Sequence, residues 1–135
     1  MTPRAVIIHS LEHARGALAA AEARGLPIVL YSAEGAAGSS GIGWFTAVIE
    51  AARADHPRAT FEAVLDCGFN GALAVAALRS GCGAIVIRGT PALRRKLAAI
   101  AAGAAARIDN GARGALDLRH SKDPRGAVIA WLMRD

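Results

Sequence analysis

Ile28-Val-Leu-Tyr-Ser-Ala-Glu-Gly-Ala-Ala-Gly-Ser-Ser-Gly-Ile-Gly-Trp-Phe45 passes from an apolar strand-like run, through a loop of small residues, into an apolar helical pattern. Glycines at 35, 38, 41 and 43 let the backbone turn tightly and remove side chains that would hold a ligand away. A helix beginning after such a loop directs unpaired backbone N–H groups into the space before it. The stretch therefore predicts one strand–loop–helix unit, with an anion or small-molecule site where strand gives way to helix.

The same rhythm extends in both directions. Ala5–His9 reads as a short buried strand. Leu11, Ala14, Leu18 and Ala21 then recur at helical spacing, with Ser10 placed to cap the helix and Gly25 to stop it. Downstream of the opening stretch, a helix using Phe45, Val48, Ile49 and Ala52 ends before His56-Pro57. Thr60–Leu65 supplies a third strand, residues 70–79 a short helix and Ala84–Ile87 a fourth strand. Thr90-Pro91 opens another helix, because threonine caps and proline suits the first helical position. Ala106–Ile108 predicts a fifth strand. Asp123-Pro124 repeats the cap-and-proline signal before a terminal helix carrying Val128, Trp131 and Leu132.

Alternating strands and helices predict a mainly parallel sheet in a single α/β domain. Two arrangements fit the length. One is a compact three-layer sandwich, Rossmann-like or flavodoxin-like; the other is a half-barrel of βα units completed by assembly.

In either, right-handed crossovers bring the segments after successive strands to one sheet edge, where open parallel sheets bind ligands. His9 and Ser10 follow the first strand, Ser32 and the loop residues Gly35, Gly38, Ser39, Ser40, Gly41 and Gly43 the second. Asp66, Cys67 and Asn70 follow the third, Arg88 and Thr90 the fourth, and Asp109 the fifth. Asp66 offers a general base or ligand anchor, His9 a proton carrier, and Cys67 a nucleophile if its thiol ionises. Arg88 suits a phosphate or carboxylate through its planar guanidinium, or a salt bridge to Asp66 or Glu34. Thr90 also has the simpler role of helix cap, and Cys67 that of an ordinary buried residue.

The standard cofactor motifs are incomplete. Gly38-Ser-Ser-Gly-Ile-Gly43 has phosphate-loop spacing, but Trp44 stands where lysine is required. Thr46 replaces the third glycine of a dinucleotide fingerprint. His9, Glu12 and His13 do not form a His-Glu-x-x-His pair, so neither a cofactor nor a metal is expected.

Net charge is +5 and unevenly spread: residues 1–66 hold 5 Lys/Arg and 7 Asp/Glu, residues 67–135 hold 11 and 4. A basic half attracts acidic ligands. Only six residues are aromatic, too few for a stacking surface, so nucleic acid is not the expected partner. No apolar run approaches the roughly 20 residues of a membrane span, and two cysteines make no disulfide framework. The expectation is a cytoplasmic protein that self-associates and binds a small anionic molecule.

Val6-Ile-Ile-His-Ser-Leu-Glu-His-Ala14, Leu30-Tyr-Ser-Ala-Glu-Gly-Ala-Ala-Gly38, Gly43-Trp-Phe45 and Val64-Leu-Asp-Cys-Gly68 together resemble a family of small bacterial α/β proteins of alphaproteobacterial type. The resemblance covers roughly residues 5–90. The family has no established activity to carry over. The resemblance implies a ligand site at these motifs and names no ligand. Two other functions fit the same residues: a noncatalytic regulatory or protein-interaction domain, and an acid–base lyase or isomerase using Asp66 and His9.

Overall fold

The apolar runs become strands where turn residues bound them, and the computed structural model describes residues 2–134. In chain order the elements are β1 (Arg4–Ile8), α1 (Leu11–Arg24), β2 (Ile28–Ser32), α2 (Ala36–Ser39), α3 (Ile42–Asp55) and β3 (Phe61–Asp66). There follow α4 (Gly71–Arg79), β4 (Ala84–Val86), α5 (Pro91–Gly103), β5 (Arg107–Ile108), β6 (Leu116–Asp117) and α6 (Pro124–Leu132). The strands form a parallel sheet in the order β5-β4-β3-β2-β1-β6.

The parallel α/β class is as expected. Strands β1 to β5 succeed one another without reversal, and β6 is added beside β1. After β5 the chain returns across the sheet to lay β6 on the far side of β1, the change of direction at an internal strand that an open, doubly wound sheet has. Two elements depart from expectation. A helical turn, α2, occupies the glycine-rich loop, and β6 falls in the segment before Ser121, where no apolar run signals a strand.

The chain condenses into two compact units. The first comprises the residues up to Tyr31, Ala47–Glu62 and those from Ala112 onward; the second comprises Ser32–Thr46 and Ala63–Gly111.

In the first unit, α1 packs on α6, and both pack on β1. Val6, Ile8, Leu18, Ile28, Leu30, Leu118 and Val128 are fully buried here, each apolar side chain of this size contributing about 1.5–3 kcal/mol. Alanines 14, 17, 20 and 21 are buried along α1, so the helices approach closely. Gly16 sets that distance: a Cβ there would lie 2.8 Å from Pro124 Cβ and 2.9 Å from the Arg125 nitrogen. Ser10 Oγ accepts the His13 N–H at 3.1 Å, and Gly25 closes α1 at a φ of 63°. The Trp131 indole donates to the Ala5 carbonyl at 3.1 Å, with Arg4 and Arg134 guanidinium carbons 5.1 and 5.4 Å from its ring.

In the second unit, α4 packs on β4 and on both α2 and α5, while α5 packs on β5. Val64, Leu65, Leu78, Ile85 and Leu97 are its largest fully buried side chains. Thr90 Oγ1 accepts the Leu93 N–H at 3.2 Å, so Thr90-Pro91 starts α5 as its spacing predicts. Trp44, in the first turn of α3, belongs to this unit and is half-buried.

Candidate functional site

Each unit carries polar groups at the downstream ends of its own strands. In the second unit they centre on Asp66, the last residue of β3, which is 7% exposed. Its Oδ1 accepts the Gly35 N–H at 3.1 Å, the Gly68 N–H at 2.8 Å and Arg88 Nη1 at 2.9 Å; its Oδ2 accepts Arg88 Nη2 at 3.0 Å. The Asp66 amide donates to Ser32 Oγ at 2.9 Å, and the Arg88 amide to the Gly68 carbonyl at 2.7 Å. Arg88 is thus gripped by two parallel bonds, as a guanidinium and a carboxylate favour. Its side chain is 34% exposed, and Glu34 lies 3.9 Å away. The Asp66 hydrogen bond, outweighing burial, raises the affinity of Arg88 for its proton.

The glycine-rich loop is tied to this hub rather than open above it. The amides of Gly38 and Ser39 donate to the Gly35 carbonyl, and those of Ser40 and Gly41 to the Ala36 carbonyl. With the Gly35 amide on Asp66, these donors are spent inside the unit. Gly35 and Gly41 take φ values of 70° and 100°, so glycine serves the turn here. Ser32 Oγ donates to the Ala33 carbonyl, and Ser39 Oγ reaches only the Gly35 carbonyl at 3.5 Å. Gly43 lies within α3.

The other candidates of this unit also have local partners. Asn70 caps α4, its Oδ1 accepting the Leu73 N–H at 3.0 Å. Asp109 is buried, and accepts from Arg107 Nη1 at 2.5 Å and the Gly111 N–H at 2.9 Å. Burial pushes the Cys67 thiol up to about 12, so it stays protonated at neutral pH and lacks the thiolate that a nucleophile needs. Phe69, between Gly68 and Asn70, is 76% exposed.

The first unit is arranged differently. His9 follows β1, and its Nε2 lies 2.6 Å from Oδ1 of Asp117, the last residue of β6. The register explains the meeting: Ile7 pairs with Asp117, so the end of β6 sits beside the end of β1. Desolvation opposes the Asp117 charge, but the Arg119 amide and the His9 ring outweigh it and hold the carboxyl below its ordinary range. An ionised carboxylate only accepts, so His9 Nε2 carries the proton. In the neutral ring, Nδ1 is then the basic nitrogen.

His13, one turn into α1, braces this pair. Its Nδ1 accepts the His9 amide N–H at 3.0 Å, and the two rings meet edge to face at 5.8 Å. Burial first, then the His9 charge, lowers the His13 pKa against the opposing pull of Glu12 and Asp117. A neutral ring is what the bond from the His9 amide requires.

The structure therefore gives His9 and Asp66 separate partners, Asp117 and Arg88, each within its own unit. Sequence reasoning missed Asp117 and His13 as partners of His9. His13 lies at a readable i, i+4 spacing from His9, whereas Asp117 is 108 residues away and becomes a partner only through strand pairing. Among the described residues, no three His, Cys, Asp or Glu side chains are grouped to hold a metal ion, and no helix is long and apolar enough to cross a membrane.

Fold and site define a parallel α/β protein with polar clusters at its strand ends. No family model and no curated protein matches the sequence. Among solved structures, the chain is similar to a crystal structure from Coccidioides immitis described as a candidate fructose-1,6-biphosphate aldolase, with a TM-score of 0.65 and 14% identity. The match covers 79% of this chain and 44% of that one, so this chain spans less than half of that protein's length. At this identity the likeness is one of fold.

Proposed function

We propose that this protein binds a small carboxylated or phosphorylated metabolite at the downstream edge of its sheet, where His9 and Asp117 act as an acid–base pair. The 2.6 Å contact between His9 Nε2 and Asp117 Oδ1 carries this reading. Asp117 fixes the tautomer, leaving His9 Nδ1 to take a proton from a bound molecule and return it. The carboxylate also stabilises the imidazolium formed in between, in the manner of an acid–base lyase or isomerase. Asp66 is less available to a bound molecule because four hydrogen bonds already fill its oxygens.

A panel of small carboxylates and phosphate esters, followed through the His9 ring NMR signals, tests the reading. Compounds that shift those signals in the native protein and not in His9→Ala support it. Compounds that perturb only residues around Arg88 move the site to the second unit. If nothing in the panel binds, the proposal fails. A noncatalytic, self-associating interaction domain then takes its place.

A further inference from the structure

The segment after β6 carries cations that the acid–base pair does not use. Leu118 still donates to the Ile7 carbonyl at 3.1 Å, continuing the ladder beside β1 one residue past Asp117. Its side chain is fully buried, while Asp117 and Arg119 on either side of it are exposed. Asp117 ends β6, and Arg119 opens the turn that follows it. Asp117 Oδ1 then accepts the Arg119 amide at 2.9 Å, and the Ser121 amide donates to the Leu118 carbonyl at 2.9 Å. The backbone at Arg119 is thereby fixed to the same oxygen that holds His9.

The Arg119 guanidinium has no hydrogen bond or ion pair among the described residues, and the side chains of His120 and Lys122 are likewise without partners there. Its charge acts on the Asp117 carboxylate, which places it in the electrostatic neighbourhood of the pair. Between Leu118 and Arg125 the one acidic residue is Asp123, and its carboxylate is engaged in capping α6 through the Gly126 N–H at 3.1 Å. A guanidinium whose backbone is tied to the Asp117 carboxylate, and whose head has no partner among the described residues, is suited to holding an oxyanion through paired N–H donors.

We infer that Arg119 anchors the anionic group, a carboxylate or a phosphate, of the small molecule that His9 acts on. Arg119 is thus a specificity-determining residue: it selects anionic over neutral molecules and turns the rest of the molecule toward the His9 ring. The inference rests on the acid–base reading of His9 and Asp117, yet it can fail on its own.

The test titrates inorganic phosphate and, separately, acetate into the full chain, reading the His9 ring and Arg119 Nε–H signals by NMR. Saturable shifts at both residues are expected with at least one anion. Phosphate alone would assign a phosphorylated ligand, acetate alone a carboxylated one, and both a general oxyanion site. Arg119→Gln should weaken binding by about tenfold or more, which corresponds to about 1.4 kcal/mol. Arg119→Lys should restore part of the affinity, and Arg125→Gln should leave it unchanged. Undiminished binding in Arg119→Gln, or no saturable shift with either anion, overturns the inference. The acid–base reading fails separately if Asp117→Asn leaves the His9 ring signals unmoved while anions still bind at Arg119.

Discussion

Both units end a parallel strand in an aspartate, and the two carboxylates have opposite fates. Asp66 is buried, its oxygens filled by Gly35, Gly68 and Arg88, and it holds three loops in place. The Asp117 side chain is 49% exposed and holds one imidazole and one backbone amide. The same residue type at the same kind of position thus serves architecture in the second unit and, in the first, holds an imidazole near the surface, where the acid–base chemistry is proposed. Accessibility and the identity of the partner make the difference: an arginine cannot give up its proton near neutral pH, whereas a histidine can.

The sharpest way to break this contrast is to remove each carboxylate in turn. Asp66→Ala leaves the Arg88 charge and the Gly35 and Gly68 amides without their acceptor, and should cost about 3 kcal/mol in urea unfolding. Arg88→Met together with Asp66→Asn should cost less than the two separate losses combined, because the double variant strands no charge while each single one does. Asp117→Ala should cost less than about 1 kcal/mol, since its ion pair is exposed, while abolishing ligand-induced changes at His9. Equal losses of stability at the two positions would erase the distinction.

Packing offers a second contrast. Gly16→Ala drives a Cβ against Pro124 and the Arg125 backbone, where little can yield. The first unit should lose about 1–2 kcal/mol, after a helix-propensity gain of about 1 kcal/mol. In the second unit, Thr90→Ala removes only the cap of α5 and should cost about 1 kcal/mol. Thermal or urea unfolding of each variant gives both values.

The smallest effect is expected with pH. His13 binds its proton more weakly folded than unfolded, so the unfolded chain takes up more protons as pH falls through the ordinary value of 6.5. Stability should therefore decline on acidification through that range, and His13→Asn should flatten the slope. The Asp117 contribution has the same sign and a lower window: its pKa is depressed from the ordinary 3.8, so its stabilisation is lost only as pH falls below that value. Unfolding measured from pH 8 to pH 3 separates the two contributions.

What the sequence reveals divides along physical lines. Strands β1 to β4 were readable because each is an apolar run bounded by turn residues. Ser10, Thr90 and Asp123 were readable as caps because a cap bonds to an amide three residues on, a purely local event. Strand β6 was not, because Leu116-Asp117 is too short for any periodicity and pairs only through β1. Helix α2 was hidden among Ala, Gly and Ser, whose composition suggests a loop. The same limits apply at the candidate site. The Arg88–Asp66 bridge was among the alternatives because both residues follow apolar runs directly, but the His9–Asp117 pair depends on a strand order that no local pattern encodes.

The two tryptophans fall one to each unit, Trp131 packed between arginines in the first and Trp44 at the start of α3 in the second. The chain thus carries a natural fluorophore in each half. With Trp44→Phe the remaining emission reports on the first unit, and with Trp131→Phe on the second. Coincident unfolding curves would mean that the halves melt as one cooperative domain. Separated curves would mean that the scaffold around Asp66 and the proposed site around His9 can be stabilised independently.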